Sequence, residues 1–124
     1  MEDNLEVKIK YTVKKFLEDI KDKTVQVISH FDTDGITSAA IMIQTLKKLD
    51  QNFSVKILKN LTPEFIDSLD KDKPTLFLDL ASGSLNKISE SGIKTVYIID
   101  HHQITEEIPI NVELVISNYS LIIL

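Results

Sequence analysis

Ser29-His30-Phe31-Asp32-Thr33-Asp34-Gly35 lies where an apolar run hands over to an amphipathic one. Before it, Thr24-Val25-Gln26-Val27-Ile28 reads as a short, largely buried strand; after it, Ile36, Ala39, Ala40, Ile43 and Leu46 recur at helical spacing. A histidine and two aspartates therefore fall at a strand-to-helix junction. In an open α/β sheet that is the edge beyond the carboxyl ends of the strands, where ligands bind. Asp32 and Asp34 alternate, so on an extended chain both carboxylates project from one side and repel unless a proton or cation sits between them. Two readings compete at this point: a divalent-metal site, or a polar turn in which an aspartate caps the following helix.

Outward from this stretch the chain alternates helices and strands. Residues 5–21 place Leu5, Ile9, Val13, Phe16, Leu17 and Ile20 on one helical stripe, with Lys8, Lys10, Lys14 and Lys15 opposite as a solvated face. The helix opening near Ile36 is expected to end near Leu49, and Phe53–Leu58 alternates apolar and polar residues as a strand does. Thr62-Pro63-Glu64 is a helix start: a hydroxyl cap, a proline in the first turn and an acid near the positive end of the dipole. Thr75-Leu76-Phe77-Leu78-Asp79 is an almost continuous apolar run, typical of a strand buried on both faces. A turn at Ser82-Gly83-Ser84 leads to a short helix through Leu85 and Ile88 that closes at Gly92. Lys94–Ile99 is a further buried strand that runs into Asp100-His101-His102-Gln103, and Glu113–Ser117 is expected to be the last.

This order predicts an α/β fold with a parallel sheet of about five strands flanked by helices. Residues 1–23 are read as an amphipathic helix packed on a domain formed by residues 24–124. The closing Tyr119-Ser120-Leu121-Ile122-Ile123-Leu124 reads either as a domain cut before its next element or as an extension of the last strand.

Composition narrows the chemistry. The 124 residues, 43% of them hydrophobic, suffice for one domain with a real core. There are no cysteines, so any metal must be held by oxygen and imidazole. A formal net charge of -5 argues against a general nucleic-acid platform, although a metal site could still receive phosphate locally. Glu2, Asp3 and Glu6 do not suit a secretory leader and no segment is long enough to span a membrane, so the sequence is read as that of a soluble cytoplasmic protein.

Parallel strands end on a common edge. That edge would gather His30, Asp32 and Asp34 after the first strand, Asp79 at the end of a middle one, and Asp100, His101 and His102 at the end of a later one. Each apolar run stops at an acid, although acids are poor strand residues. Three such coincidences favour a metal centre over separate caps. Carboxylates with imidazoles suit a hard-to-borderline divalent ion: Mn²⁺ first, with Mg²⁺ or Zn²⁺ as alternatives. The ligand supply exceeds one ion, and a central carboxylate such as Asp79 could bridge two ions about 3.5–4 Å apart. Backbone amides at Gly35-Ile36-Thr37-Ser38 would meet a phosphate oxygen, making Gly35 and Ser38 candidate phosphate contacts. Phosphoester hydrolysis is the reaction this equipment fits.

His-x-Asp-x-Asp-Gly, a strand-terminal aspartate and Asp-His-His, in that order, resemble the DHH phosphoesterase superfamily. The stretches Ser29–Ser38 and Ile99–Gln103 look most like its archaeal RecJ-like branch, and the resemblance covers about residues 24–118. It implies His30, Asp32 and Asp79 on one metal ion, and Asp34, Asp79 and His101 on a second. It further implies His102 facing the scissile phosphate and Asp100 orienting a histidine from behind. The substrates it implies are single-stranded nucleic acid or a short oligonucleotide. Two departures stand out. No aspartate follows Asp100, where the family supplies a late ligand, and the Gly-rich substrate-binding domain has no counterpart here.

Two classes of function therefore remain: a RecJ-like single-strand exonuclease or a short-oligonucleotide or cyclic-dinucleotide phosphodiesterase, or a non-catalytic subunit of a replication or repair assembly. The second class brings a GINS-like partner or a second subunit into view.

Overall fold

A computed structural model describes residues 5–101 and 108–116. Its elements are α1 (Leu5–Asp19), β1 (Val25–His30), α2 (Thr33–Lys48), β2 (Phe53–Leu58), α3 (Pro63–Ser68), β3 (Thr75–Leu78), α4 (Leu85–Ser91), β4 (Val96–Asp100) and β5 (Val112–Ile116). The strands form one sheet in the order β2-β1-β3-β4-β5, with every pair parallel. The expected α/β fold with a five-stranded parallel sheet is what the chain adopts. From β1 the chain moves first to one side, to β2, and then to the other, to β3. The carboxyl ends of β1 and β3 therefore flank a topological switch point, the place where open α/β sheets take ligands.

Alternation along the strands divides the core in two. Ile28, Phe77 and Ile98 pack with Ile66 of α3 and with Leu85 and Ile88 of α4. Val25, Val27, Leu76, Leu78 and Tyr97 face the other way, against Leu46 of α2 and Ile20 beyond α1. Burial on both faces explains the near-continuous apolar runs of β1, β3 and β4.

The α1 stripe differs from its sequence expectation. Ile9, Val13 and Leu17 remain 42%, 49% and 44% exposed. Phe16 and Ile20 of the stripe do pack inward, and Thr12 joins them. The roll of the helix is fixed by three contacts: Phe16 meets the Tyr97 ring edge-on at 5.1 Å, the Tyr97 hydroxyl donates to Asp19 Oδ2 at 2.6 Å, and Lys15 lies 3.9 Å from Glu113. Burial and the neighbouring Asp19 carboxylate push the Tyr97 phenol well above its usual range, so it stays a donor. One polar anchor and one aromatic contact outrank the apolar periodicity.

The helix after the opening stretch begins three residues earlier than its periodicity suggests. Asp32 takes extended geometry (φ -80°, ψ -178°) and its Oδ1 accepts from the Gly35 amide at 2.9 Å, while its carbonyl accepts from Ile36. This is side-chain capping, and it starts α2 at Thr33. Gly35 is required by space: a methyl there would run into the backbone carbonyl of His30.

Candidate metal centre

His30 is the last residue of β1, Asp32 caps α2 and Asp34 lies in its first turn. Asp79 directly follows β3, Asp100 ends β4 and His101 directly follows it. The parallel sheet brings these residues to one edge. His30 Nδ1 lies 3.0 Å from Asp32 Oδ2 and 3.6 Å from Asp79 Oδ2. His101 Nε2 lies 2.8 Å from Asp79 Oδ1 and 3.7 Å from Asp34 Oδ2. Two groups result, His30–Asp32–Asp79 and Asp34–Asp79–His101, each with its ligand atoms within 4.8 Å of one another. Asp79 belongs to both and gives a different oxygen to each side.

The strand register explains the meeting. Ser29 pairs with Leu78 and Leu78 with Ile99, so the residues just beyond them emerge at one level. Asp79 then leaves the strand at φ 63°, and Ala81 follows at φ 88°. Left-handed backbone at a non-glycine residue is uncommon, and at functional sites such strain is held by its surroundings. Here the Asp79 amide donates to the Ile99 carbonyl at 2.8 Å, which ties the turn to β4.

The electrostatics are those of a crowded anionic pocket. The Asp79 side chain is 4% exposed. Burial, reinforced by the adjacent Asp32 carboxylate, raises its pKa to about 6, while His101 pulls the other way. Asp32 moves down: burial opposes ionisation, but the Gly35 amide, the hydrogen bond it shares with Asp79, and His30 together outweigh it. His30 Nε2 meets the Lys59 carbonyl at 3.2 Å. A carbonyl only accepts, so this nitrogen carries a proton, and Nδ1 is the ring atom that faces the carboxylates. Among the described residues, His30 Nδ1 and Asp79 Oδ2 are buried without a hydrogen-bond partner. Two such atoms 3.6 Å apart, among three carboxylates and two imidazoles, suit a divalent cation.

The remaining expected residues divide. Asp100 is buried; its Oδ2 accepts from the Ser82 amide at 3.3 Å and its Oδ1 from the His101 amide at 2.7 Å. It thus joins the β3–α4 loop to the backbone of His101. His102 lies outside the described residues. Gly35 does not hold its amide ready for a phosphate, because Asp32 takes it, and the earlier helix start puts Ser38 in the second turn. The open amides of a capped first turn are those before Gly35. Ser29, which opens the junction stretch and has no role assigned by its residue type, is fully buried, and its hydroxyl donates to the carbonyls of Gly35 at 2.7 Å and Leu78 at 3.2 Å.

The fold and this edge define a class: a doubly wound parallel α/β domain whose switch point carries paired acid–imidazole clusters sharing one aspartate. A family model for the DHH family, N-terminal domain, matches residues 24–120, and the chain belongs to that family. An uncharacterized protein of Methanocaldococcus jannaschii is 31% identical over an alignment of 101 residues that covers 73% of this chain and 23% of that protein. RecJ from Thermus thermophilus, solved in complex with Mn²⁺, is similar in fold with a TM-score of 0.65 at 23% identity, over 88% of this chain and 17% of RecJ. An exonuclease RecJ bound to manganese gives 0.67 at 22% identity, over 88% and 31%. CDC45 from Entamoeba histolytica gives 0.68 at 22% identity, over 94% and 25%. The chain thus spans less than a third of each of these proteins.

Proposed function

We propose that this chain is the metal-binding part of a RecJ-like phosphodiesterase that hydrolyses single-stranded nucleic acid or short oligonucleotides. The observation that carries the proposal is Asp79. It is buried, strained, shared by both clusters and leaves Oδ2 without a partner. Such a carboxylate costs stability unless a cation offsets it. Two divalent ions, with Mn²⁺ the first candidate, would supply an activated water and charge neutralisation at an in-line phosphoryl displacement. His30, Asp32 and Asp79 would hold one ion; Asp34, Asp79 and His101 would hold the other. Asp79 loses its proton on loading, since its raised pKa leaves it partly protonated near pH 6. Asp100 positions His101 through its main chain, and His102 is assigned to the scissile phosphate by its place in the Asp-His-His motif. Both similar RecJ structures contain manganese, which supports the choice of ion.

The fold likeness to CDC45 is the specific reason to keep a second reading, a non-catalytic subunit. The two are separated by titrating the chain with Mn²⁺ in a calorimeter and then incubating it with a short single-stranded oligonucleotide. Slow, Mn²⁺-dependent cleavage that Asp34→Ala abolishes is the expected result. Mn²⁺ binding with no cleavage at any enzyme concentration would favour the subunit, and no Mn²⁺ binding would remove the metal centre altogether.

A further inference from the structure

We propose that Ser29 is a positioning residue that sets the spacing between the two carriers of the metal ligands. The inference rests on the metal reading above and extends it to a residue outside the ligand set. Asp32 and Asp34 come from the start of α2, whereas Asp79 comes from the end of β3. Each cluster needs one α2-side aspartate together with Asp79, so the relation between these two segments decides both at once.

Few direct ties are available to hold that relation. Asp32 and Asp79 are both acids, and their mutual contact is repulsive once both are ionised. His30 and His101 touch them through the atoms offered to an ion. Ser29 supplies the missing link. Its side chain points to the α2 face of the sheet, in step with Val25 and Val27. From there the hydroxyl reaches the Gly35 carbonyl in the first turn of α2 and the Leu78 carbonyl immediately before Asp79. One proton is shared between two acceptors, one on each carrier, and both distances lie within hydrogen-bond range.

The steric situation makes the clamp effective. Gly35 has no side chain, and a methyl there would strike the His30 carbonyl, so the helix start already rests on the end of β1. Packing alone keeps the helix start from moving closer to β1. The hydroxyl prevents the two carriers from moving apart or shearing. Alanine at position 29 would leave two buried carbonyls without this donor and allow the aspartates on the two carriers to separate along their repulsion.

The test is Ser29→Ala beside the wild type, with Mn²⁺ alone as the probe, read by calorimetry and by the melting temperature with and without Mn²⁺. Residues supporting ligands from behind typically change metal affinity about 10–100-fold. The expected result is Mn²⁺ affinity reduced by at least about tenfold with a shrunken Mn²⁺-induced rise in melting temperature. Ser29→Thr, which keeps the hydroxyl, should recover most of the affinity. Should the threonine methyl not fit, Ser29→Cys keeps a weak donor and should fall between alanine and wild type. A purely structural serine would lower both melting curves equally and leave Mn²⁺ affinity unchanged in the alanine variant, which overturns the proposal. If wild type binds no Mn²⁺, the metal reading fails first and this inference with it.

Discussion

Of the three strand-to-helix connections at the carboxyl edge, the two that flank the switch point each carry an aspartate. At the β1–α2 junction, Asp32 has ordinary extended backbone, caps the helix and holds its pKa low. At the β3–α4 junction, Asp79 sits at φ 63° and caps nothing, and Ser84, at the cap position of α4, makes no side-chain cap bond. Asp32 would serve the fold in a protein with no active site. Asp79 is strained, buried and raised in pKa, and no structural duty explains it. The difference separates residues that stabilise a site from those for which the site exists. Either junction alone would mislead, since the first reads as ordinary capping and the second as a defect.

The comparison can be broken most directly at Asp79. Asparagine tolerates left-handed backbone and carries no charge. Asp79→Asn should therefore lower Mn²⁺ affinity by more than about 100-fold, beyond what loss of a supporting residue costs. Its metal-free melting temperature at pH 8 should nevertheless equal or exceed that of wild type. A large drop in metal-free stability would show that Asp79 does serve the fold.

A pH series sharpens the same contrast. The folded-state pKa of Asp79, about 6, lies above its unfolded value of 3.8. The folded chain thus binds this proton more tightly, and the stability it contributes is complete below pH 3.8 and lost as pH rises through about 6. Asp32 runs oppositely, its contribution being present above 3.8 and lost on acidification. The difference in metal-free melting temperature between wild type and Asp79→Asn should accordingly shift against wild type between about pH 4 and 7. A constant difference would contradict the raised pKa.

The smallest effect is expected at the other junction. Asp32→Ala removes a cap and should cost about 1 kcal/mol of metal-free stability, seen as a lower melting temperature. Its effect on metal-free stability thus has the opposite sign to that of Asp79→Asn. If Asp32→Ala stabilised the metal-free chain, repulsion with Asp79 would outweigh the cap.

Much of this was legible in the sequence for identifiable reasons. The alternation of Phe53–Leu58 gave β2 its observed bounds, and Thr62 caps α3 through the Phe65 amide, as its residue type suggested. Paired burial on both faces makes the ends of β3 and β4 visible as acids after apolar runs, and that of β1 as Ser29-His30. What was hidden depends on single contacts. Capping by Asp32 moved the start of α2, and the Tyr97–Asp19 bond set the roll of α1. The turn at Asp79 carries no glycine to announce it, and a serine inside an apolar strand gives no sign that its hydroxyl spans two segments.

The all-parallel strand order also fixes when the centre can come into being. No hairpin brings any two of its carriers together; β1 meets β3 only after the chain has passed through α2, β2 and α3, and β4 only joins after α4. Such pairings close long loops before any contact rewards them, which makes them late events in folding. Residues 30, 79 and 101 are strangers in the unfolded chain, so before the sheet forms an ion can meet at most the local His30–Asp32–Asp34 run, without the shared Asp79. The centre is a product of the finished sheet, and whatever binds there acts as a lock on a completed structure rather than a template for building it.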